Sequence, residues 1–123
     1  MVRALLLCLL TGISAFAVHA GEADVTDVQV HQASDGSWRF DVTVRHADEG
    51  WDHYADRWEV VDAEGNVYGT RVLAHPHVDE QPFTRSLSGI EFPDDLEEVI
   101  VRARDSVHGY GGAEVVIPLI GRF

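Results

Sequence analysis

Between Trp38 and Val44 every second residue is apolar: Trp38, Phe40, Val42 and Val44 fall on one face, and Arg39, Asp41, Thr43 and Arg45 on the other. A repeat of two belongs to a β-strand with one dry face and one wet face. The same alternation recurs along the chain, and an amphipathic helical period is not found beside it. It predicts seven strands, at residues 25–31, 38–44, 54–61, 67–73, 83–87, 99–104 and 113–119. Turn-forming residues separate them, most clearly Ser34-Asp35-Gly36 and the tight connection Asp62-Ala63-Glu64-Gly65-Asn66.

Ahead of this pattern stands a different segment. Met1-Val2-Arg3 is a short positive start, and residues 4–18 are mostly apolar. Small residues then stand at signal-peptidase spacing, as Ala15-Phe16-Ala17 or Val18-His19-Ala20. Residues 1–20 read as a signal peptide and residues 21–123 as a single domain, which places the protein in the periplasm or outside the cell. With the signal removed, no membrane segment is expected.

Export sets the chemistry that remains. Cys8 and Met1 leave with the signal, so the mature chain holds no thiolate nucleophile, no disulfide and no soft sulfur ligand. The whole chain has 21 acidic residues against nine basic ones, a net charge of −12 with histidine neutral. Loss of Arg3 makes the mature protein one unit more negative. Such a field repels nucleic acid and anionic membrane surfaces, so neither is expected as a partner, whereas cations are favoured.

Successive antiparallel strands send their connections to alternate ends of a sandwich. Residues 46–53, 74–81 and 105–112 therefore meet at one end. They carry His46, His53, His75, His77 and His108, and His31 alone of the mature histidines lies elsewhere. In His75-Pro76-His77 the two imidazoles, at positions i and i+2 of extended backbone, point to one side. Asp79 and Glu80 follow closely, as further ligands or as acceptors for imidazole N–H groups. His46 continues the inward phase of Val42 and Val44, and His53 stands beside Trp51 and Tyr54. His108 lies in a loop with Gly109, Gly111 and Gly112, which permit close backbone approach. Asp48 and Glu49 are expected on a solvated face, and Arg85, Arg102 and Arg104 in surface salt bridges.

Imidazole and carboxylate ligands suit copper(II) or zinc, and the absence of sulfur argues against a copper(I) carrier. The expected function is metal binding through His75, His77, His108, His53, His46 and Asp79. The alternative is an interaction module gripping a protein or glycan partner with Trp51, Tyr54, Phe83 and Tyr110. No nucleophile elbow or hydrolase triad is recognisable, so no catalytic residue is assigned.

Seven short strands at regular spacing, with Trp58 as a core tryptophan on the third, resemble an all-β, seven-stranded antiparallel immunoglobulin-like or fibronectin type III-like sandwich. Residues 74–83 and 105–112 look like stretches of small uncharacterised exported proteins of proteobacteria, a resemblance that implies export. The superoxide reductase domain, an immunoglobulin-like sandwich holding iron with four histidines and one cysteine, offers an analogy. The mature chain lacks that cysteine, and the activity is not carried over.

Overall fold

A computed structural model describes residues 21–119; the signal-peptide reading of residues 1–20 lies outside the described residues. The described residues form eight strands and no helix: β1 (Asp24–Gln32), β2 (Trp38–Arg45), β3 (Ala55–Val61), β4 (Val67–Val72), β5 (Phe83–Ile90), β6 (Glu98–Asp105), β7 (Gly109–Tyr110) and β8 (Val115–Pro118). They make two antiparallel sheets. One has the order β1-β2-β5; the other runs β4-β3-β6-β7, with β8 also paired to β6.

In β2 and β6 the alternation read in the sequence is the alternation of burial. Phe40, Val42 and Val44 of β2 lose all solvent exposure, as do Trp58 and Val60 of β3 and Val99 and Val101 of β6. These residues face one another between the sheets in a single core. Each contributes roughly 1.5–3 kcal/mol of burial, which is the stabilisation available to a chain with no disulfide.

The strand count differs from seven because residues 109–110 form a short strand inside the stretch expected to be a loop. Gly109 pairs with Asp105, and Tyr110 with Arg104. A two-residue strand is too short for alternation to reveal. Its entry depends on Gly109 at φ 75°, a conformation that glycine adopts without steric cost. Two other boundaries move by more than a residue: β5 runs on to Ile90, and β8 begins at Val115 rather than at residue 113.

The arginines form ion pairs as expected, although Glu59, the partner of Arg102, is buried rather than on a wet face. Arg102 bonds Glu59 at 3.0 Å, Arg85 bonds Glu80 at 3.1 Å and Arg104 pairs with Asp56.

Candidate metal centre

The connections after β2, β4 and β6 do meet at one end of the fold, and β6 delivers the centre of the site. Val99, Val101 and Ala103 are its inward residues, and Asp105 is the next in phase. A carboxylate is thereby carried into the core, where it has no solvent exposure. Its Oδ1 accepts the backbone N–H groups of Val107 at 2.6 Å and His108 at 2.7 Å. Its Oδ2 receives three imidazoles: His46 Nε2 at 2.7 Å, His53 Nε2 at 2.8 Å and His108 Nδ1 at 3.0 Å. Burial works to raise the Asp105 pKa, but the bonds from the His108 side chain and from the His108 and Val107 amides outweigh it, and the group is held well below the usual carboxylate range.

The far side of each principal ring is also engaged. His46 Nδ1 meets Asp48 Oδ1 at 2.5 Å, and His53 Nδ1 meets Glu49 Oε1 at 2.8 Å. The Nε2 atoms face a second acceptor too, the Gly21 carbonyl oxygen, at 3.1 Å from His46 and 3.3 Å from His53. Each ring therefore has acceptors at both nitrogens. A neutral imidazole carries one N–H, so it cannot donate to both of these acceptors at once. For His53 the Glu49 bond leads in pushing the pKa up to about 9, with burial opposing and Asp105 adding to the rise.

Carboxylates on Nδ1 with Nε2 turned to a shared point are the outer-shell arrangement that orients metal-bound histidines. One ligand atom from each of His46, His53 and Asp105 falls within 4.8 Å of the others, close enough to hold one ion. His108 borders this group with its side chain 42% exposed.

His75 and His77 sit apart from that point. Their rings lie 4.6 Å apart between centroids, but they face different surroundings. His75 is exposed. The ring of His77 is buried and stacked on Phe83 at 3.9 Å. Arg85 donates to its Nε2 at 3.0 Å, and its Nδ1 is buried with no partner. Burial first, then the charge of Arg85, lowers the His77 pKa. His77 joins the site through its backbone, donating its N–H to Asp48 Oδ2 at 2.6 Å. Asp79 is exposed.

Asp48 departs from its expected place on a solvated face. Its side chain is buried, because residues 46 and 48 continue the inward phase of β2, and donors from His46, Ala55 and His77 surround it. Glu49 is exposed as expected, and only its tip returns to His53. Of the proposed aromatic anchors, Phe83 is buried and cannot grip a partner. Tyr110 is half-buried beneath Arg102, whose guanidinium lies 4.1 Å from the ring centre, while Trp51 stands exposed against Tyr54.

No protein-family model matches the chain, and no solved structure matches it. The chain is similar to a protein of Halomicrobium mukohataei, a halophilic archaeon, described as "Putative lipoprotein". The two are 44% identical over 96 residues, which is 78% of this chain and 47% of that protein. The chain thus spans about half the length of its curated relative. That relative is archaeal, not proteobacterial.

Proposed function

We propose that this is an exported metal-binding protein that holds one copper(II) or zinc ion between His46, His53 and Asp105, with His108 at the edge of the site. The supporting observation is the matched orientation of His46 and His53. Each presents Nε2 to one buried carboxylate oxygen while a separate carboxylate holds its Nδ1. Two nitrogens and one oxygen suit either ion, and both tolerate a further ligand. The description of the archaeal relative supports export, to the cell envelope or beyond. The strand orders β1-β2-β5 and β4-β3-β6 support an immunoglobulin-like or fibronectin type III-like sandwich.

The test is a calorimetric titration of metal-stripped protein with copper(II) and with zinc. One ion per chain is expected, with a loss of roughly a hundredfold or more in affinity when His46→Ala and His53→Ala are combined. Unchanged affinity in a double variant that still folds by circular dichroism would overturn the reading.

A further inference from the structure

The segment of residues 21–25 is packed into the site. Its Gly21 carbonyl oxygen stands 3.1 Å from His46 Nε2 and 3.3 Å from His53 Nε2, beside the same Asp105 oxygen. Close packing along residues 108–113, on either side of β7, holds it there. A Cβ on Gly21 would come within 2.7 Å of His108 Cε1. A Cβ on Gly111 would crowd the Glu22 carboxylate, and one on Gly112 would overlap the Ala23 carbonyl. Val25 then donates its N–H to the Ala113 carbonyl at 2.8 Å, and Ala113 donates to Asp24 Oδ1 at 2.7 Å. Three glycines thus leave room for the segment, and two backbone-anchored bonds fix its register.

We propose that Gly21 is itself a ligand of the metal site and that removal of the signal peptide completes it. The inference rests on the metal-binding reading above. Cleavage after Ala20, as Val18-His19-Ala20 allows, adds water across the Ala20–Gly21 bond and leaves a carboxylate on Ala20 and a free amine on Gly21. In an amino-terminal residue the amine nitrogen and the carbonyl oxygen are separated by two atoms, so both can close a five-membered ring on one ion. The carbonyl oxygen already points at the two histidine nitrogens. The amine would add a third nitrogen to His46 and His53, a set that favours copper(II) over zinc. It would also make the unprocessed precursor a weaker binder than the mature protein.

The test compares two full mature chains that differ only at the first residue, one with a free Gly21 amine and one with the amine acetylated. Thermal melts of both metal-free forms check that folding is unchanged. Copper(II) affinity is measured by competition, and nitrogen coupling by electron paramagnetic resonance. The free-amine form is expected to bind roughly tenfold or more tightly and to show coupling to one more nitrogen. Gly112→Ala, which displaces the segment without touching the amine, should reproduce the loss. Equal affinity and identical spectra for the free and acetylated forms would overturn the role of Gly21 while leaving the His46, His53 and Asp105 site in place. Absence of one-to-one binding by either form would overturn both.

Discussion

Asp48 holds His46 by its Nδ1 atom at 2.5 Å, and almost no solvent reaches either side chain. The other oxygen of the same carboxylate takes the His77 amide at 2.6 Å, and Ala55 N–H adds a third bond at 3.1 Å. A single buried acid therefore fixes the tautomer and angle of a candidate ligand and ties the connections after β2 and β4 together. The histidine motif most visible in the sequence contributes to the site through a main-chain N–H.

Replacing Asp48 with asparagine keeps the size and one acceptor but removes the charge that holds His46. Metal affinity should fall roughly 10- to 100-fold, the usual consequence of losing an outer-shell carboxylate. The metal-free protein should also be less stable, since the buried acceptor for the His46 ring and the His77 and Ala55 amides is weakened. Titration and thermal melts of Asp48→Asn check both effects; an unchanged affinity would show that His46 is oriented without it.

Metal should stabilise the folded state by linkage. At a free concentration a hundred times Kd the gain is about 2.7 kcal/mol, which for a domain of this size raises Tm by on the order of 10 °C. A chelator should reverse the shift. Identical melts with and without copper(II) or zinc would count against a site built in the native state.

His75→Ala combined with His77→Ala separates the two histidine groups. Because Arg85 occupies His77 Nε2 and His75 lies exposed, the expected result is one ion per chain with affinity within a few-fold of wild type. Loss of the stoichiometric ion would place the ligands in this pair instead.

Asp62 gives a pH dependence independent of the metal. The Asn66 side chain, followed by the Tyr68 hydroxyl and the Asn66 and Glu64 amides, overcomes burial and pulls its pKa from 3.8 to about 2. The folded pKa lies below the unfolded one, so this contribution is present above pH 4 and disappears as the pH falls to 2. Asp62→Asn should therefore melt below wild type at pH 6, with the gap closing between pH 4 and pH 2. A gap that persisted unchanged to pH 2 would show that the carboxylate charge is not its origin.

Much of the site lay in the strand phase. Residues 42, 44, 46 and 48 form one inward series, and residues 99, 101, 103 and 105 another; extending both would have marked Asp48 and Asp105 as buried acids beside His46. The His-Pro-His motif drew attention because its spacing is short, yet spacing says nothing of what a ring packs against. Gly21 had no signal at all, since a carbonyl oxygen is common to every residue.

The sequence by itself determined seven of the eight strands among the described residues, the dry faces of β2 and β6 and the end at which the histidine-bearing connections gather, because these follow from local alternation and from the reversal of direction at each turn. Tertiary structure decided which ring nitrogens converge. That choice depends on distances between residues as far apart as Gly21, His46 and Asp105, set by how two sheets pack and by where a glycine lets one backbone approach another.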